Sequence, residues 1–230
     1  MVEGIDMNES WSRRFAQWAI VALCFLSIAG CSGGTPEPTV EGDPEALLAQ
    51  GRQYMDQDRT QDAIDTFQML VRLDPNSIEG HFRLGNAYFQ QGKLEEAATQ
   101  FRETLDLDPN NVDARSNLGA VYYEQGQFAN AEEEFGKAIA LKSDDADIHY
   151  NLGATYVQQF KLDAAIAEFR EALRLNPNLG RCYFGLGNAF KLQGKNQEAV
   201  EALEQFLSLG DSDAQLRPIA ESLLAELKAP

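Results

Sequence analysis

A chain of 230 residues that is 44% hydrophobic and 24% charged has the balance of a folded polypeptide, not a disordered one. Its formal net charge is −17. Setting aside residues 1–30, with Glu3, Asp6, Glu9, Arg13 and Arg14, leaves 17 basic and 33 acidic residues, or −16. So negative a surface argues against phosphate backbones as partners and against electrostatic adhesion to anionic lipid.

In chain order, the first feature is an apolar run from Phe15 to Gly30, preceded by Arg13 and Arg14 and interrupted by Gln17 and Ser27. At 16 residues it falls about four short of a membrane-spanning helix. Basic residues, a short apolar core and small residues before a break predict a secretory signal peptide over 1–30. The acidic start is foreign to a signal. Initiation at Met7 instead of Met1 would leave Glu9 against two arginines and the amino terminus. The run closes on Ile28-Ala29-Gly30-Cys31, which resembles the bacterial lipobox. That resemblance implies a diacylglyceryl thioether on Cys31, usually with an N-acyl group such as palmitate, and two or more chains hold a protein stably on a membrane. The alternative is an uncleaved signal anchor with Cys31 as an ordinary thiol. Ser32 after the cysteine implies, by similarity to enteric lipoproteins, an outer-membrane location facing the periplasm if the host has two membranes. Residues 31–43 then comprise the lipidated cysteine and a tether, SGGTPEPTVEGD, that spans at most about 40 Å.

Beyond residue 43 one pattern governs the chain. Glycine recurs at 51, 85, 119, 153 and 187, a constant step of 34. Three residues later stand Tyr54, Tyr88, Tyr122, Tyr156 and Phe190. Alanine follows at 63, 97, 131, 165 and 199, then Phe67, Phe101, Phe135, Phe169 and Leu203, and finally Pro75, Pro109, Ser143, Pro177 and Asp211. The set resembles the tetratricopeptide repeat, marked by Leu-Gly, Tyr, Ala, Phe and Pro within 34 residues. The resemblance covers 44–211 as five units, 44–77, 78–111, 112–145, 146–179 and 180–211. It departs from the pattern at the position of the packing tryptophan, here Leu47, His81, Arg115, His149 or Tyr183. Gln50 replaces the leucine of unit 1, and units 3 and 5 lack the closing proline.

These residues predict an all-α solenoid of five helical hairpins. Glycine on the first helix and alanine on the second let backbones approach, with Tyr and Phe filling the crossing. Gly92, Gly126 and Gly194 suit a left-handed turn after the first helix, and proline stops the second. One hairpin cannot bury its apolar face, but five in a stack share a core. Residues 212–230 predict a capping helix that turns Leu216, Ile219, Ala220, Leu223, Leu224 and Leu227 inward. Pro218 places its start near 216 or kinks it.

No reactive constellation accompanies this pattern. His81 and His149 occupy packing positions two repeat lengths apart, too far to share a proton or metal. Cys182 reads as a small buried hydrophobe, and Cys24, Cys31 and Cys182 have neither disulfide nor metal-site spacing. Gly185-Leu186-Gly187 has no preceding strand. Glu95-Glu96 and Glu132-Glu133-Glu134 read as solvated faces of second helices. The expectation is no catalysis, no metal or cofactor beyond the lipid on Cys31, and no small-molecule substrate.

In the family that the repeats resemble, first helices line a concave surface. That resemblance implies a peptide-binding groove carrying Asn86, Asn117, Asn151 and Asn188, whose amides can donate to and accept from a peptide backbone. Phe82, Arg83, Phe89, Tyr123, Tyr150 and Phe184 complete it with aromatic and basic contacts. Alternatively the asparagines only tie neighbouring helices together. A carboxylate clamp is disfavoured, because its basic positions hold Phe82, Asp147 and Asn151. The expected function is a membrane-anchored scaffold or adaptor that binds peptide segments or helices of a protein partner in assembly of an envelope complex. Pilotins of pilus secretins and adaptors of cell-wall hydrolases are similar lipoproteins. The alternative is a structural component that self-associates through its convex face.

Overall fold

The computed structural model describes residues 42–209 and 215–229; the signal-like segment, Cys31 and the tether up to residue 41 lie outside them. The described residues form eleven helices and no strands. Five antiparallel pairs follow one another: α1 Pro44–Asp56 with α2 Thr60–Leu73, α3 Ile78–Gln90 with α4 Leu94–Leu107, and α5 Val112–Glu124 with α6 Phe128–Leu141. Next come α7 Ala146–Gln158 with α8 Leu162–Leu175, and α9 Gly180–Leu192 with α10 Asn196–Ser208. A single helix, α11 Arg217–Leu227, closes the stack.

In the first four pairs the first helix starts on a side-chain cap that itself keeps the 34-residue step. Asp43 accepts from the Glu45 amide, Ser77 from Gly80, Asn111 from Ala114, and Asp145 from Asp147 and Ile148. Each such cap stabilises its helix by about 1 kcal/mol. The fifth position, Leu179, makes no side-chain cap. Between the helices of a pair the chain reverses through one residue of positive φ. Gly92, Gly126 and Gly194 take it at +76°, +72° and +72°, while Asp58 and Phe160 take it at +56° and +57°. Second helices end in Asx turns, with the Asn76, Asn110 and Asn178 amides donating to the side chains of Asp74, Asp108 and Asn176.

Inside each of the first four pairs the glycine of the first helix lies against the aromatic ring of the second. A Cβ at Gly85, Gly119 or Gly153 would come within 2.8, 2.9 or 2.7 Å of Phe101, Phe135 or Phe169. Carbon atoms pack at about 3.5–4.0 Å, so the ring needs the missing side chain. Phe67, Phe101, Phe135 and Phe169 are at most 1% exposed, and the alanines beside them are fully buried. In the last pair Leu203 faces Gly187 and Phe206 takes the buried aromatic role. The first helices of successive pairs touch one another, α1 to α3, α3 to α5, α5 to α7 and α7 to α9, whereas no such series joins successive second helices. First helices therefore crowd the inner side of the curve and second helices spread along the outer side.

A polar bolt fastens the middle units. His81 contacts the Gln100 side chain at 2.8 Å and the Pro75 carbonyl at 3.0 Å. One repeat on, Arg115 donates to Glu134 at 2.9 Å and to the Pro109 carbonyl at 2.7 Å. One further, His149 meets Glu168 at 2.6 Å and the Ser143 carbonyl at 3.2 Å. The residue in the tryptophan position thus ties its own second helix to the loop of the preceding unit. This corrects the reading of Glu132-Glu133-Glu134 as a solvated face: Glu134 is buried, held by Arg115 and by Lys137 at 2.7 Å. Cys182 is fully buried, and burial pushes its thiol up to about 12. The thiolate, the reactive form, is thereby suppressed.

The closing helix starts next to residue 216, as Pro218 implied, and departs from expectation at one residue. It begins at Arg217, with Pro218 in the first turn, where a missing N–H costs nothing. Ala220 and Leu224 are buried against α10, but Ile219 is 48% exposed.

Candidate functional site

The residues expected in the groove all lie on the first helices, α3, α5, α7 and α9, and all are partly buried. They do not form one uniform surface. At the amino-terminal end Asn117 donates from Nδ2 to Asn86 Oδ1 at 2.8 Å, so this pair of amides ties α5 to α3. Arg83 is held by Glu79 at 2.7 Å, and Glu79 also receives Arg52 at 2.6 Å. Burial raises the Glu79 carboxyl, but its hydrogen bonds to Arg83 and Arg52 outweigh it and leave the group below the ordinary carboxylate range. Phe82 packs on Phe101 at 6.1 Å between ring centres and, with Phe89, belongs to the first core cluster. At the other end Phe184 stacks on Phe206 at 5.6 Å and packs with the cluster that joins α10 and α11. Lys191 reaches Glu226 of the closing helix at 2.7 Å.

The middle of the groove is open. Tyr123, Tyr150 and Asn151 converge on a pocket of about 220 Å³ between α5 and α7, together with Ala120, Glu124, Phe135 and Ala154. Its size comes from the two alanines. Ala120 and Ala154 stand at the unit position that holds Asn86 one unit before and Asn188 one unit after. Truncating that side chain in two successive units exposes an edge of Phe135, the ring on which Gly119 packs. Tyr123 is fixed edge-on against Phe128 at 5.6 Å, and its hydroxyl accepts from Gln158 at 3.3 Å. Tyr150 lies 5.8 Å from Phe169 and carries the Arg181 guanidinium 4.3 Å from its ring centre; Arg181 in turn pairs with Asp147. The Asn151 and Asn188 amides have no hydrogen-bond partner among the described residues.

Reading the sequence for what each position carries found Tyr123, Tyr150 and Asn151 but passed over Ala120 and Ala154, whose contribution is absence. The signal was a small residue twice in a register where the flanking units bear asparagine. Ligand pockets run to about 300–1,000 Å³, so this one suits a single side chain of a larger partner. A second, shallower pocket of about 490 Å³ lies between α8, α9 and α10, lined by Arg170, Tyr183, Phe190, Glu198 and Ala202 among others. It opens where unit 5 lacks its bolt, because Tyr183 faces Ala202 where the middle units pair with Gln100, Glu134 or Glu168. Among the described residues no cluster of three His, Cys, Asp or Glu side chains could hold a metal ion, and no helix is long and apolar enough to cross a membrane.

Two family models match, one described as "TPR repeat" over 51–92, 85–126 and 121–160, the other as "Tetratricopeptide repeat" over 144–210. No curated protein matches the chain in sequence. Among solved structures, the crystal structure of MamA is 25% identical, with a TM-score of 0.66, covering 72% of this chain and 96% of its own. YrrB, described as a TPR protein with an unusual peptide-binding site, is 19% identical with a TM-score of 0.65 over 78% of this chain and 92% of its own. Pseudomonas aeruginosa pilF is 20% identical with a TM-score of 0.66 over 80% of this chain and 88% of its own.

Proposed function

Because the chain belongs to the tetratricopeptide-repeat family, we propose that it is a non-enzymatic scaffold whose inner wall captures an extended segment or helix of a protein partner. The observation that carries this reading is the pocket between α5 and α7, with aromatic walls and an unpartnered Asn151 amide at its edge. Aromatic side chains dominate interface energies. An amide that can both donate and accept reads a peptide backbone without regard to sequence. YrrB, a protein of the same fold, has a peptide-binding site.

The scaffold works at a membrane in this reading. Cys31 carries the lipid, the tether of residues 31–43 holds the repeats off the bilayer, and the setting is assembly of an envelope complex, on the periplasmic face of the outer membrane where the host has two. The Ile28-Ala29-Gly30-Cys31 sequence at the end of a short apolar run supports this. Labelling cells with a palmitate analogue tests the anchor: wild type labels and Cys31→Ser does not, and equal labelling of both would remove it. A photoreactive phenylalanine analogue in place of Tyr123 tests the groove against the convex face, with the same analogue at exposed Gly136 on α6 as the comparison. Cross-links to a partner from position 123 support the groove. Cross-links between copies of the chain from position 136 alone would favour self-association through the outer surface.

A further inference from the structure

We infer that the pocket between α5 and α7 receives the side chain of a lysine or arginine from an extended peptide. Its stem lies against Tyr123 and Tyr150, and its cation meets Glu124. This rests on the reading of the inner wall as a peptide groove and specifies what that groove selects.

Three observations point to a long cationic side chain. The pocket, about 220 Å³, is lined by buried Phe135, half-buried Ala120 and Ala154, and the exposed carboxylate of Glu124. That order of surfaces, apolar below and anionic at the mouth, matches a side chain with a methylene stem and a charged head. Two acidic residues at the start of first helices are matched from within the chain, Glu79 by Arg52 and Arg83 and Asp147 by Arg181, whereas Asp113 at the same register has no such pair among the described residues but lies outside the pocket lining. Glu124 is exposed and pairs with no cation among the described residues. Beside it along the wall stand Gln90 and Gln158 at the equivalent positions of units 2 and 4, and the one guanidinium on a lining ring, Arg181 over Tyr150, is already paired with Asp147.

Tyr150 already shows how such a group sits. The Arg181 guanidinium lies 4.3 Å from its ring centre while it pairs with Asp147. A tyrosine face with an adjacent carboxylate therefore holds a cation once within this chain, and Tyr123 with Glu124 presents the same two groups to an incoming one. Cation–π attraction and an ion pair each contribute modestly at a partly exposed site. The charge of −17 carried by the whole chain adds long-range attraction for a basic segment.

The test uses the full chain in non-ionic detergent and an immobilised library of nonapeptides randomised at every position. Binding peptides should be enriched in lysine or arginine at one position. Re-synthesis with norleucine or glutamine there should weaken binding about fivefold, the equivalent of about 1 kcal/mol. Glu124→Gln should bring the lysine and norleucine peptides to parity, as should raising NaCl to about 0.5 M, where the screening length falls below roughly 5 Å. Ala154→Asn imports the side chain that neighbouring units bear, and should reduce lysine peptides to the level of glutamine ones with helix content unchanged. Peptides that bind without basic preference, or a preference that survives Glu124→Gln, would overturn the cation pocket and leave the groove standing. A library from which nothing binds would remove the groove and the pocket together.

Discussion

Alanine in place of glycine should have opposite effects at Gly119 and Gly136, although both lie inside α-helices. In an open helix interior the change stabilises by about 1 kcal/mol, because alanine loses less conformational freedom. Gly136 on α6 has nothing within 4 Å of an added Cβ and should show that gain. At Gly119 the Cβ would sit 2.9 Å from Cδ1 and Cε1 of Phe135 and 3.1 Å from Cζ. The ring is 1% exposed and packed in the core of its unit, with one edge on the pocket between α5 and α7. Overpacking of this kind costs about 1–3 kcal/mol, which outweighs the helix gain and leaves a net loss of about 1 kcal/mol. For a domain of this size each kcal/mol moves Tm by about 2–4 °C. Thermal melts followed by circular dichroism should therefore show Gly136→Ala a few degrees above wild type and Gly119→Ala a few degrees below. Adding Phe135→Leu to Gly119→Ala should cost less than Phe135→Leu alone, with a coupling of about 1 kcal/mol. If Gly119→Ala melts higher, as Gly136→Ala does, close approach of the two helices is not what glycine provides.

Glu134→Ala should lower stability by about 2 kcal/mol, since it strands Arg115, whose side chain is 15% exposed, although the replacement of both partners by apolar residues of similar size should be nearly neutral. A urea titration of the two variants checks this. Phe160→Gly should raise stability by about 0.5–1 kcal/mol: a left-handed residue with a Cβ costs roughly 1–2 kcal/mol, the flexibility of glycine returns part of that, and the ring, 76% exposed, gives up little packing. An unchanged or lower Tm would show that the ring makes contacts worth more than its strain. Cys182, with its thiol pushed up to about 12 by burial, should resist alkylation at pH 8 in the native state and react once unfolded. That burial favours the folded state below the ordinary thiol pKa, and the contribution is lost as pH rises from about 9 toward 12. Rapid native alkylation at pH 8 would contradict it.

The fold was legible because its cause is periodic. Gly119, Ala131 and Phe135 are informative only through their counterparts 34 residues away, and together they dictate a close helical crossing that the structure reproduces in every unit. Positive-φ turns followed from Gly92, Gly126 and Gly194, but Phe160 gave no hint of one, because the repeat imposes its backbone on whatever residue stands there. Glu134 misled because charge runs are usually solvated, and its partner Arg115 lies 19 residues away, on the facing helix. The tie between Asn86 and Asn117 was one of two readings the asparagines left open, whereas the opening beside Asn151 was hidden. Both depend on neighbouring units, and the second on side chains that Ala120 and Ala154 lack.

Hydrogen exchange of the full chain, alone and saturated with a lysine nonapeptide from the library, tests most directly whether the inner wall is the binding surface. Slowed exchange should concentrate in α5 and α7, the helices bearing Tyr123, Glu124, Tyr150 and Asn151, with α6 and α8 unchanged. Protection confined to the second helices would contradict the account.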